Sequence, residues 1–296
     1  MTYDVIVVGG SYAGMAAALQ LLRARRSVLI VDAGQRRNRF ASHSHGFLGQ
    51  DGADPSAIAA EARGQLMAYP TLTWLDGTAT AAEGTLDAFT VADEHGTRHT
   101  ARRLLFATGV KDALPAIEGL SERWGQSVFH CPYCHGYELD QGAIGVIGTG
   151  PASLHQALLL PEWGPTTFLT NGALSLTGED RAELAKRGAK LVETPIARLD
   201  GAADVVLTDG STLSFAGLFT ASVVSPATDL PRAMGCHVEE NPMGQMLVTT
   251  PMKETTVPGV YACGDLARMP HSVSLAVGDG AWAGAMIHRA LVFPGM

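Results

Sequence analysis

Tyr3-Asp4-Val5-Ile6-Val7-Val8-Gly9-Gly10-Ser11-Tyr12-Ala13-Gly14 begins as a β-branched run and breaks into a glycine turn. Met15 to Arg26 then carries a helical apolar spacing, and Ser27 to Val31 is a second apolar run closed by Asp32. Strand, glycine turn, helix, strand and acid form the first unit of a dinucleotide-binding fold. Gly9 allows the tight turn and Gly14 lets the helix pack on the sheet. The helix N-terminus offers free N–H groups and a positive dipole end to a pyrophosphate. Asp32 lies 18 residues after Gly14, within reach of a ribose. Ser11 stands where the pattern usually has its middle glycine, and is small enough for close approach. Alone such a turn is a weak signal; between two strands at the head of a chain it predicts a Rossmann-like domain.

Arg36 to Gly52 is a polar loop, expected to lie over a bound cofactor through Arg37, Asn38 and His45. Pro55 to Tyr69 reads as a helix capped by Asp54. Leu72 to Thr100 reads as a β-meander, and Ala101 to Phe106 as a strand ending in Ala107-Thr108-Gly109, where backbone can again approach a cofactor. A second strand, glycine turn and helix follow: Ala143 to Ile147, Gly148-Thr149-Gly150-Pro151-Ala152-Ser153, and a helix to about Leu160. After the next strand, Thr166 to Leu169, comes Thr170-Asn171-Gly172. It holds neither an acid for a ribose nor an arginine for a 2′-phosphate. Arg181 and Arg187 read as solvated helix residues. Near the end, Val257-Pro258-Gly259-Val260-Tyr261-Ala262-Cys263-Gly264-Asp265 is a strand closing on a Gly-Asp pair suited to ribityl and phosphate contacts. A small-residue helix follows, from about Ser274 to Leu291. The tail is expected to rejoin the first domain, leaving the second unit as an insertion.

Between the two units lies His130-Cys131-Pro132-Tyr133-Cys134-His135-Gly136-Tyr137-Glu138. A C-x-x-C pair serves either as half a zinc site or as a reversible dithiol. Structural zinc needs a second ligand pair at close spacing. Cys236 and Cys263 are isolated from each other and from the motif, so the redox reading is favoured and no metal is expected. Cys236 and Cys263 read as buried fillers, and His130 as a loop residue. Glu138 could orient a histidine or be a helix-face charge. Pro132 and the helix start beyond it are expected to lower the Cys131 thiol pKa. His135, beside a reactive thiol, can exchange its proton near neutral pH.

The totals narrow the field. The 296 residues suffice for about two domains. A net charge of −8 argues against general nucleic-acid binding. Four cysteines are too few for a secreted disulfide scaffold. The chain enters a strand at once, with Asp4 inside it, so no signal peptide is expected, and no run approaches ~18 apolar residues. A soluble cytoplasmic protein without membrane contact is the expectation.

The order G-x-x-x-x-G, A-T-G, C-x-x-C, second glycine turn and G-V-Y-A-C-G-D resembles that of the low-molecular-weight thioredoxin reductases over nearly the whole chain. The resemblance implies an α/β fold of two Rossmann-like (three-layer ββα) domains, the second inserted into the first. An FAD-binding domain would comprise 1–112 and 243–296. An NAD(P)-domain-like insert carrying the cysteines would span 113–242. It implies FAD held by Gly9, Ser11, Gly14, Asp32, Arg37, Asn38, His45, Thr108, Gly109, Gly264 and Asp265, and a homodimer. Catalysis would fall to Cys131, Cys134 and His135. Cys134 would face the flavin as the charge-transfer thiolate, and Cys131 would exchange with an external dithiol or disulfide.

Three departures stand out. His135 replaces the aspartate that usually follows the second cysteine. Thr170-Asn171-Gly172 replaces the basic H-R-R cluster for the NADPH phosphate, and His271-Ser272 stands near the usual Arg-Gln. In its G-G-S-Y-A-G start, its C-x-x-C-H-G-Y-E run and its T-N-G the chain looks more like the flavin dithiol oxidases of the gliotoxin and holomycin type, which pass electrons to dioxygen. The leading expectation is therefore oxidation of a small-molecule dithiol by dioxygen. The alternative is reduction of a disulfide or thioredoxin-like protein fed by NAD(P)H or ferredoxin. A remote third is a non-catalytic redox-sensing flavoprotein.

Overall fold

The computed structural model describes residues 2–295. The chain divides into two compact units. One comprises Met1–Arg39, Phe47–Lys111 and Ser225–Met296, and the other Phe40–Gly46 and Asp112–Val224.

The first unit opens with β1 (Thr2–Val8), α1 (Tyr12–Arg23) and β2 (Val28–Asp32). After α2 (Pro55–Met67), whose cap is Asp54 accepting from the N–H groups of Ser56 and Ala57, comes β3 (Leu72–Asp76). This strand corrects the expected meander: it pairs parallel with β2, extending the central sheet. Its L-T-W-L-D pattern alternates like a hairpin strand, and alternation alone does not tell a sheet edge from a meander. The antiparallel ribbon begins after it, with β4 (Ala79–Thr85), β5 (Ala88–Asp93) and the long β6 (Arg98–Phe106). β1 runs along one side of β6 from Thr100 to Phe106. The other side is shared, β5 pairing with residues 98–101. β7 (Val110–Ala113) then carries the chain to the second unit.

In the second unit β8 (Val128–Phe129) leads to the four-residue helix α3 (Pro132–His135). The second βαβ pattern follows as β9 (Ile144–Ile147), α4 (Pro151–Leu159), β10 (Thr166–Leu169), α5 (Gly178–Lys186) and β11 (Lys190–Val192). An antiparallel set of β12 (Ile196–Asp200), β13 (Asp204–Leu207) and β14 (Thr212–Ser214) precedes β15 (Gly217–Thr220). β15 inserts between β9 and β8, giving a parallel sheet in the order β11-β10-β9-β15-β8. Ile147, Leu169 and Leu218 face the small sheet through Leu199, Val205 and Leu207. Ile144, Val146, Phe168 and Phe219 face the helices through Ala157, Leu160 and Leu184. The inner strands β9, β10 and β15 are buried on both sides, which is why β9 in particular reads as a continuous apolar run, while the edge strand β11 is partly exposed.

β16 (Val223–Pro226) returns the chain, and the first unit resumes at Ser225 rather than at the expected 243. The reason is packing: Leu230 and Cys236 bury against Ile6, Val8 and Phe89 of the first unit's core. The short helix α6 (Leu230–Ala233) and the hairpin of β17 (Val238–Asn241) and β18 (Gly244–Leu247) belong to that layer. β19 (Val260–Ala262) then pairs parallel with residues 104–106 of β6, completing the parallel order β3-β2-β1-β6-β19.

α7 (Val273–Val292) closes the unit against α1. A Cβ on Gly280 would lie 2.1 Å from the Ala13 carbonyl oxygen, and one on Gly284 would lie 2.3 Å from that of Ala17. Two glycines one helical turn apart thus let the backbones touch. Among the described residues no helix is long and apolar enough to cross a membrane.

Gly280→Val forces α7 off α1 and should lower the unfolding free energy by about 1–3 kcal/mol or more, read by urea denaturation. Wild-type stability would contradict this packing.

Candidate active site

In the first unit the turn after β1 meets the turn after β6. Gly9 has φ of +104°, and a Cβ there would stand 2.5 Å from the Ala107 carbonyl oxygen. A Cβ on Gly14 would stand 1.9 Å from the oxygen of Gly9. The carboxyl ends of β1 and β6 flank the point where strand order reverses, the place where such sheets bind dinucleotides. Ser11 precedes α1 without a side-chain cap, so N–H groups of the first turn remain for an anion. Asp32 ends β2 and accepts from the Gly10 N–H at 3.0 Å.

Around this turn lie unsatisfied buried acceptors. Asn38 donates to the Tyr12 hydroxyl at 3.2 Å, while its Oδ1 is buried without a partner among the described residues. The Thr108 hydroxyl is likewise buried without one. Gly109 has φ of +67°. Arg37 reaches Asp265 Oδ2 at 3.2 Å and His271 Nδ1 at 2.7 Å. These groups fit a ligand with hydroxyl donors and phosphates, as FAD presents. The structure brings together Gly9, Ser11, Gly14, Asp32, Arg37, Asn38, Thr108, Gly109, Gly264 and Asp265 in one unit. It places His45 in the other, with Nδ1 3.3 Å from Glu138 Oε1.

In the second unit Cys131 and Cys134 form a disulfide. Cys131 precedes α3, and Pro132 occupies its first turn, where a missing N–H is harmless. Gln156 of α4 donates to the His130 carbonyl at 2.8 Å and so fixes the residue ahead of Cys131. The His135 ring stacks on Phe129, centroids 4.2 Å apart and planes 16° from parallel. Burial, and secondarily the nearby His45, pushes the His135 pKa from 6.5 down to about 4. His135 is thus neutral at pH 7 and, while the disulfide is closed, a weaker base than the expected exchange near neutral pH would need. Cys236 and Cys263 are both buried free thiols whose pKa burial pushes up.

The second glycine turn is tied to its own unit. Thr149 N–H donates to Ser153 Oγ at 2.9 Å, and the Thr149 hydroxyl donates to the Ala221 carbonyl at 2.8 Å. Asn171 Oδ1 accepts from the Ile196 N–H at 2.9 Å. Arg181 makes a two-pronged pair with Glu193, which holds the carboxyl pKa down, and Arg187 pairs with Glu162.

Sequence reading missed Gln156, Phe129 and the carboxylate partners of the two arginines. Only Glu138, named as a possible partner of a histidine, carried a signal, through its closeness to the cysteines.

Comparison with known proteins places the chain. Residues 3–280 match the family model "Pyridine nucleotide-disulphide oxidoreductase", and the chain belongs to this family. It is 32% identical to "Thioredoxin reductase tcpT" of Claviceps purpurea (strain 20.1), over 98% of this chain and 94% of that one. It superposes on the oxidoreductase from Agrobacterium tumefaciens with a TM-score of 0.97 at 57% identity, covering 99% and 100% of the two chains. On HlmI the TM-score is 0.90 at 36% identity, covering 98% and 93%. The chain is thus a thioredoxin-reductase-like FAD oxidoreductase with a cysteine pair of its own.

The depressed histidine has a consequence for stability. Between about pH 6.5 and 4 the unfolded chain binds a proton at His135 that the native chain does not. Stability therefore falls as pH is lowered through that window. His135→Asn should lose less unfolding free energy than wild type between pH 7 and 4; equal losses would contradict the assignment.

Proposed function

We propose that this pyridine nucleotide-disulphide oxidoreductase oxidises a small-molecule dithiol to its disulfide, with dioxygen as the final electron acceptor. One observation carries the preference: the second glycine fold offers little to NADPH. The Thr149 N–H and the Asn171 side chain are spent within the unit, and Arg181 and Arg187 are held by carboxylates. The second reading, reduction of thioredoxin or a small disulfide by NAD(P)H, is favoured by the Claviceps relative, which is named a thioredoxin reductase.

The residue roles belong to the same proposal. FAD is held in the first unit by Gly9, Ser11, Gly14, Asp32, Arg37, Asn38, Thr108, Gly109, Gly264 and Asp265; His45, expected in that set, lies in the second unit beside Glu138 and is left out of it. When bound, FAD supplies a two-electron acceptor that dioxygen can reoxidise. The second unit serves as the insert that carries the redox pair. A homodimer and a cytoplasmic setting complete the reading, on the family resemblance and the sparse cysteines.

At the cysteines the chemistry balances. A substrate thiolate attacks Cys131 Sγ; the bond between the two protein sulfurs breaks and Cys134 leaves as a thiolate. The second substrate thiolate attacks the substrate sulfur of this mixed disulfide, closing the product and releasing Cys131. The substrate loses two electrons and the protein disulfide gains them. His135, a weak base while the disulfide is closed, becomes a better acceptor for the proton of an incoming thiol once the Cys134 thiolate forms at the preceding position, because a nearby negative charge favours imidazolium. Burial against Phe129 keeps it uncharged until then, and Glu138 anchors the neighbouring His45.

The test is dithiol-dependent peroxide release by the FAD-loaded enzyme. Cys134→Ser should abolish it. His135→Asn should lower kcat/KM by about 10²–10⁴, the usual worth of a proton-transfer group. Wild-type turnover in either variant would contradict the assigned role.

A further inference from the structure

Lys253 sits in a tight turn at φ of +67°, the left-handed region that glycine or asparagine fills more cheaply. Its N–H donates to the Thr250 carbonyl at 2.9 Å, and the Thr250 N–H donates to Glu254 at 2.8 Å. The lysine side chain is 14% exposed and ion-pairs with Asp279 of α7, itself 9% exposed. A buried ion pair is expensive to form and weak evidence for stability. A residue kept in a strained turn conformation to supply half of one points to a role for the side chain.

The partners show what that role is. Asp279 Oδ1 takes the lysine, and Oδ2 accepts the Gly264 N–H at 2.9 Å. Gly264 has φ of +70°, and a Cβ there would stand 2.7 Å from the Ala13 Cβ of α1. The Lys253 carbonyl accepts the Ala262 N–H at 3.0 Å. Lysine backbone, lysine ammonium and aspartate therefore grip the chain on both sides of Cys263, immediately before Asp265. From the far side Asp265 meets Arg37.

We infer that Lys253 and Asp279 are positioning residues for the FAD site, a buried clamp that sets the Gly264 turn and so the place of the Asp265 carboxylate. The inference rests on the reading above that Gly264 and Asp265 line that site. The lysine fixes the aspartate, the aspartate fixes the Gly264 N–H, and the turn presents Asp265.

The experiment measures how fast FAD leaves the loaded enzyme after dilution, by the rise of flavin fluorescence, with far-ultraviolet circular dichroism and thermal unfolding read in parallel. In Lys253→Met/Asp279→Leu both charges become apolar groups of similar size, so no buried charge is left alone. The Gly264 N–H loses its acceptor, and FAD should leave about tenfold faster or more, with the fold intact. Lys253→Arg keeps the ion pair and should stay near the wild-type rate. Release at the wild-type rate in the double variant would overturn the clamp. So would release as fast in Lys253→Arg as in the double variant, or equal losses of cofactor and fold. Asp265→Ala separates the two readings. If it speeds release and the double variant does not, the clamp alone fails; if it has no effect, the placement of FAD at this turn fails.

Discussion

The first unit depends on one close approach: the backbone of Gly9 lies on the Ala107 carbonyl with no room for a side chain. That contact joins the ends of β1 and β6 at the point where the sheet order reverses. It sets α1 over the junction, with Gly14 packed onto Gly9 itself. α7 then needs Gly280 and Gly284 to lie against α1, and the Gly264 turn rests on Ala13. A chain of backbone contacts thus runs from the first glycine turn to the last helix. It explains why residues so far apart in sequence as Asn38, Thr108 and Asp265 belong to one unit.

The second unit repeats the architecture and uses it differently. Its sheet also carries a glycine turn between strand and helix, but the turn's polar groups close on Ser153 and Ala221. α4 contributes Gln156, which holds the His130 carbonyl, so the repeat serves the cysteines. The electrostatics agree. Phe129 and the surrounding burial keep His135 uncharged beside a disulfide, while His45 is stationed against Glu138.

Much of this was legible in the sequence, for a physical reason. Glycine turns and apolar runs are local signals, so spacing alone located the Gly9 turn, the packing at Gly14, Asp32 at a strand end and a redox pairing of Cys131 with Cys134. β3 was misplaced because a strand's partner is not written in its own five residues. The return to the first unit came early because the apolar residues Leu230 and Cys236 give no sign of which core they join. Pairings of distant side chains were invisible for the same cause: nothing local links Arg181 to Glu193 or Lys253 to Asp279. The φ of Lys253 was equally hidden, since lysine is an ordinary surface residue in most turns.

The direction of electron flow is the central claim, and anaerobic spectroscopy of the FAD-loaded enzyme tests it most directly. The account predicts that a small dithiol bleaches the flavin absorbance promptly, that NADPH and NADH do not, and that readmitted air restores the colour with peroxide released. Prompt bleaching by NADPH or NADH, with none by dithiol, would contradict it.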